Sequence, residues 1–173
     1  LFANEESGLA GGKGYAERHA AEMPRHAGAF EADSGTGAPR GFSWNAADTF
    51  EPALAAVAAL LEPLGAGTLR KGGAGGADIS PMLPLGVPLF GLRQESSTYF
   101  DYHHSADDTF DKIEPASLDK AAAAMAAMAY AVADLPNDAA LGVKSAGLPL
   151  LTWTVRTAAD RATAARYADQ IIF

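Results

Sequence analysis

The chain has 173 residues, 49% hydrophobic and 20% charged, with a formal net charge of −8 and no cysteine. That length supports one domain with a sizeable core, and the composition is that of a folded globular chain. The acidic balance excludes a phosphate-binding face for nucleic acid, and the lack of cysteine excludes a disulfide framework and a thiolate metal site. Any metal is left to His, Asp and Glu.

Leu1-Phe2-Ala3 reads as the end of a buried strand that runs into two acids, Glu5 and Glu6. The chain opens on Leu1 and not Met, so its natural beginning is expected upstream, and no signal peptide is visible. Gly8 to Gly14 reads as a glycine-rich turn, followed by a helical pattern through Tyr15, His19 and Met23. Ala27 to Ala32 predicts a second strand ending at Asp33, and Ser34 to Gly41 a loop. A helix is expected from an N-cap at Thr49 through Leu54, Val57, Leu60 and Leu61. Gly72 to Gly76 is a second glycine-rich loop, and Val87 to Leu92 a strand. Glu95 to Asp111 is polar and aromatic without a period. Pro115 suits the first turn of a long helix reaching about Asp134.

Strands alternating with helices predict an α/β fold with a mostly parallel or mixed sheet flanked by helices. Ligands of such sheets sit beyond the carboxyl ends of the strands, where Glu5, Glu6 and Asp33 fall. The domain reading is 1–136 for the α/β unit and 137–173 for an extension of unclear origin. The first part carries nine Lys and Arg against eighteen Asp and Glu, the second four against three. A helix is expected at 158–171. No apolar stretch reaches the roughly 20 residues that span a bilayer.

Several familiar motifs are absent. Gly8 to Gly14 is one residue short of a phosphate loop, and Gly14 stands where Ser or Thr is required. There is no Gly-x-Ser-x-Gly elbow and no His-Glu-x-x-His. Glu5-Glu6 is either a solvated acidic turn opening a helix, or a pair with separate jobs, one on a metal and one taking a proton from water. Asp33 before Ser34-Gly35 is either a turn former or a ligand. His103 and His104 stand among Asp107, Asp108 and other acids in a polar loop, as freely titrating side chains or as part of a site. His19 and His26 read as ordinary surface residues.

The segments Phe2-Ala3-Asn4-Glu5-Glu6-Ser7-Gly8-Leu9, Glu31-Ala32-Asp33-Ser34-Gly35, Gly75-Gly76-Ala77-Asp78-Ile79 and His103-His104-Ser105 with Asp108-Thr109 occur in order. Together they resemble the M28 zinc peptidases over about residues 1–135, and within that family the carboxypeptidase Q subgroup. The resemblance implies two zinc ions and a metallo-exopeptidase acting on dipeptides or peptide N-termini. It implies Glu5 as general base, Glu6 and His104 as ligands of one zinc, and Asp33 as ligand of the other. His103 stands where many relatives have a Tyr that binds the oxyanion, and can donate the same bond. Asp108 is either an outer-sphere partner of a ligand or a turn cap, and Asp78 is open.

The family also draws a His and a bridging Asp from a segment before Asn-Glu-Glu, and only four residues precede Glu5 here. The resemblance therefore implies an N-terminally truncated catalytic domain, inactive alone, from a secreted or periplasmic parent, with a homodimer left open. Two rivals remain: a cyclase resembling the glutaminyl cyclases, which use one zinc on this fold, and a non-catalytic binding or assembly homologue.

Overall fold

The computed structural model describes residues 2–35, 37–73, 75–135, 151–153 and 170–172. Four strands form a mixed sheet in the order β1-β4-β2-β3, where β1 is Ala29–Glu31, β2 Pro39–Asn45, β3 Thr68–Lys71 and β4 Leu89–Gln94. β1 runs parallel to β4 and β2 parallel to β3, while β2 and β4 are antiparallel. The α/β expectation with a mixed sheet flanked by helices therefore holds.

The helices divide between two apolar clusters, and β4 feeds both. Leu89 packs with Ala16 of α1 (Ala10–Arg18), with Met23, and with Ile79, Met82 and Val87. Phe90 and Leu92 pack with Leu54 and Leu61 of α2 (Glu51–Leu61) and with Ala121, Ala124, Met128 and Val132 of α4 (Pro115–Ala133). Successive strand residues point to opposite faces, so the change of cluster from Leu89 to Phe90 places helices on both sides of the sheet. The alanines of α4 let that helix lie close against β2 and β4.

Helix α4 starts as its sequence indicates. Pro115 occupies the first turn, where its missing N–H has no helical partner to lose, and the Glu114 carboxylate accepts from the N–H of Ala116 and Ser117. In α2 the buried residues Leu54, Ala58 and Leu61 follow helical spacing, but Leu60 is exposed. The expected N-cap at Thr49 is displaced. A 3-10 turn at Asp48–Phe50 precedes α2, and Thr49 lies inside it.

Two expectations near the amino end differ from the fold. Phe2 to Asn4 is not in a strand. The glycine-rich stretch is largely helix, since α1 begins at Ala10. A Cβ on Gly11 would lie 2.2 Å from the Ala3 carbonyl oxygen, and one on Gly12 2.2 Å from that of Asp78. These glycines serve close packing of α1 and not chain reversal. Strands β2 and β3 were not expected. β2 carries a bulge at Pro39/Gly41 that breaks its alternation, and β3 is mostly polar.

Residues 151–153 (β5) and 170–172 (β6) form a separate parallel pair. The expected helix at 158–171 lies outside the described residues up to 169, and its last two positions belong to β6. Among the described residues no helix is long and apolar enough to cross a membrane.

Candidate metallopeptidase site

Parallel strands end side by side, and this brings the candidate residues together. β1 delivers Asp33 two residues past its carboxyl end. β4 leads, at the same end of the sheet, into α3 (Tyr99–Tyr102) and the His103-His104 turn. The acidic turn at Asn4–Ser7 joins them across the fold, where His104 Nε2 and Glu6 Oε1 are 2.5 Å apart although 98 residues separate them in sequence.

Backbone geometry at both ends of that contact is unusual. Asn4 and His104 adopt left-handed φ values of 59° and 56°. Asn and His are among the residues that enter the left-handed region most readily, and at His104 the surroundings still have to hold it there. Part of the enforcement is visible. The His104 ring stacks on His103 at 3.8 Å, and His103 stacks on Tyr99 at 4.5 Å. Tyr99 in turn fits against Gly35, where a Cβ would meet its ring at 3.0 Å. The aromatic stack thus fixes the loop after Asp33 to the turn bearing His104.

Electrostatics identify Glu5 as the distinctive acid. Desolvation raises its carboxyl pKa above the ordinary value, and the charges of Glu6, Asp33, Asp78 and Glu31 push in the same direction. The Tyr99 phenol is also raised, first by burial and then by Asp33, Asp108, Glu6 and Glu5. These influences mark out one acidic neighbourhood. A cleft of about 490 Å³ opens beside it, lined by Ser34, Gly35, Tyr99, Tyr102, His103 and Asp108 among others.

The structure brings Glu6 and His104 into contact and sets Asp33 and Glu5 in the same field. His103 faces the cleft and touches His104. Asp108 also lines the cleft, and the caps of the following helical segments fall at Thr109 and Glu114 instead. Sequence reasoning passed over Tyr99, whose only signal was an aromatic residue in a polar stretch. His19 and His26 lie apart, around Tyr15 and Glu22.

Zinc accepts imidazole nitrogen and carboxylate oxygen, so the donor types of Glu6, His104 and Asp33 suit it. Their number does not complete a four-coordinate site. Among the described residues no three His, Asp or Glu side chains gather closely enough to hold a metal.

The Glu6–His104 pair lies beyond the carboxyl ends of the strands, where open α/β sheets bind their ligands. The chain belongs to peptidase family M28, whose model matches residues 1–129. It is 37% identical over 135 residues to carboxypeptidase Q of Rattus norvegicus and 31% identical to that of Homo sapiens, covering 78% of this chain and 28% of each relative. A solved structure described as a peptidase M28 precursor from Shewanella amazonensis SB2B superposes with a TM-score of 0.73 at 42% identity, over 76% of this chain and 30% of that one. The chain thus spans less than a third of the length of the relatives it matches.

Proposed function

We propose that the protein containing this chain is a zinc-dependent exopeptidase that hydrolyses dipeptides or removes residues from peptide N-termini. The carrying observation is the Glu6–His104 pair, closed across 98 residues, with the raised carboxyl of Glu5 beside it. Family membership supports the reaction class, and the names of the relatives support a peptide substrate.

Glu6 and His104 would hold one zinc and Asp33 would contribute to a second, the remaining ligands coming from elsewhere in the full protein. Zinc, when bound, polarises the scissile carbonyl and makes water a competent nucleophile at neutral pH. Glu5 accepts the proton of the attacking water and delivers it to the leaving amine. A carboxylate with a raised pKa takes the proton from water more readily than an ordinary one, and its acid is still far stronger than the ammonium it forms on the leaving amine. His103, stacked on His104 and facing the cleft, donates a hydrogen bond to the oxyanion. The same proposal holds that the 173-residue chain alone does not turn over dipeptides, since the remaining ligands would come from the rest of the parent protein. Export of the parent to the periplasm or medium belongs to the same proposal.

The test uses the full-length protein, assayed for bound zinc and for dipeptide hydrolysis. Glu5→Gln should lower kcat by about 100-fold or more while zinc content is kept, as expected for loss of a general base. His103→Ala should lower kcat more than it changes KM. A Glu5→Gln variant with wild-type turnover overturns the mechanism. Pyroglutamate formation from N-terminal glutamine, without dipeptide hydrolysis, would move the assignment to a cyclase.

A further inference from the structure

Glu31, the last residue of β1, is partly buried, and its carboxylate is committed to the backbone of a distant segment. Oε1 accepts from the Asp78 N–H at 3.2 Å and Oε2 from the Ile79 N–H at 3.0 Å. Such paired acceptance by an ionised group is stronger than a neutral hydrogen bond and leaves little rotational freedom. The receiving segment is shaped for it. A Cβ on Gly76 would lie 2.2 Å from the Glu31 carboxyl carbon, and one on Gly75 would lie 2.7 Å from Ile79 Cδ1. Gly91, which pairs with Glu31 in the sheet, lies directly beneath the Gly75 carbonyl.

Asp78 is the residue this clamp holds. Its Oδ1 is sealed from solvent and has no hydrogen-bond partner among the described residues. The start of α1 lies between Asp78 and the segment that leads to Glu5, with Gly12 against the Asp78 carbonyl and Gly11 against that of Ala3, and the Asp78 charge bears on Glu5. A buried carboxylate oxygen without a partner is unfavourable, so a fold keeps one only where something constrains it there. With both N–H groups of the Asp78–Ile79 step tied to Glu31, and the Asp78 carbonyl pressed against Gly12, the backbone that carries the Asp78 side chain is held in place.

We propose that Glu31 is a positioning residue of the peptidase centre, acting through Asp78: its carboxylate clamps the Asp78–Ile79 backbone to the end of β1 and so aims the Asp78 carboxylate at the Glu5 neighbourhood. The inference rests on the exopeptidase reading above. It goes further by adding two residues outside the zinc donor set and assigning an order between them, Glu31 setting Asp78 and Asp78 serving the site. If instead Glu31 only braces the fold, its removal and that of the Asp78 charge act independently.

The experiment is a double-mutant cycle on kcat and KM for a dipeptide in the full-length enzyme, with Glu31→Ala, Asp78→Asn and the double variant. Each single change should lower kcat with KM little altered, by on the order of 10- to 100-fold, the range expected when a group near the reacting atoms is misplaced by up to about 1 Å. The double variant should be no slower than the slower single, because the clamp has nothing left to aim. Glu31→Gln, which retains one acceptor, should fall between wild type and Glu31→Ala, and it replaces Glu31→Ala in the cycle if the latter fails to fold. Losses that multiply in the double variant, or an unchanged kcat in Glu31→Ala, overturn the inference while an active wild type leaves the peptidase reading intact. A wild-type enzyme that cleaves no dipeptide overturns that reading first, and this inference with it.

Discussion

Replacing Gly91 by Ala tests how tightly the loop around Gly75 is seated on β4. A Cβ built at Gly91 lies 1.8 Å from the Gly75 carbonyl oxygen and 2.7 Å from Ser43 Oγ, where ordinary contact starts near 3.4 Å. Ser43 can rotate its hydroxyl away, losing only a 3.3 Å bond to the Gly91 carbonyl. The Gly75 oxygen belongs to backbone, so strand and loop must separate by about 1.6 Å. Overpacking of this kind costs about 1 to 3 kcal/mol. The displaced loop also leads into Asp78, so kcat should fall by on the order of 100-fold if the shift reaches the site. The assay is urea unfolding of the full-length protein with dipeptide kcat measured in parallel. Gly14→Ala provides the control, because its Cβ meets only the movable guanidinium of Arg18 and lies within α1, where Ala gains up to about 1 kcal/mol. A Gly91→Ala protein as stable as wild type, with unchanged kcat, would refute the packing argument.

Two further outcomes follow from named contacts. Glu114→Ala removes the carboxylate that accepts from Ala116 and Ser117 and should destabilise the protein, read as a lower urea midpoint at constant m-value. The Arg40 guanidinium, 2.6 Å from Glu95, holds that carboxyl down at about 2, with help from the Ser97 N–H. A depressed carboxylate adds stability above its unfolded value near 4.5 and loses it as pH falls toward 2, so wild type and Glu95→Gln should converge in melting temperature across that window. Curves that stay parallel from pH 5 to pH 2 would show that the pair contributes nothing to folding.

The legible parts of the fold were those where one local rule acts alone. Pro115, and the apolar spacing of Leu54 and Leu61, announce α4 and α2 because first-turn preference and periodicity are local. β2 could not be read in the same way. Its Gly41, at φ 145°, sits at a bulge whose Cβ position is taken by the Thr68 carbonyl, so its pattern reflects a neighbour absent from the local sequence. The glycines of α1 misled for the same reason, since they answer to Ala3 and Asp78 and not to the helix itself. At the site, chemically distinctive residues could be nominated from the motifs, and Glu6 and His104 do meet. The supporting contacts, Tyr99 on Gly35 and Glu31 on the Asp78–Ile79 backbone, join positions far apart in sequence and carry no local mark.

The two rims of the sheet are unequal in a way that matters for handling this polypeptide. β3 presents Arg70 and Lys71 along its outer side, and charged residues there discourage a second chain from adding on. β1 at the other rim is Ala-Phe-Glu and pairs only with β4 among the described residues. Its other side pairs with no strand among the described residues, and an extended segment of matching register can add there. In a longer protein such a rim serves as a seam along which further sheet is laid. In a short recombinant piece an unpaired rim of this kind is a place where chains associate edge to edge.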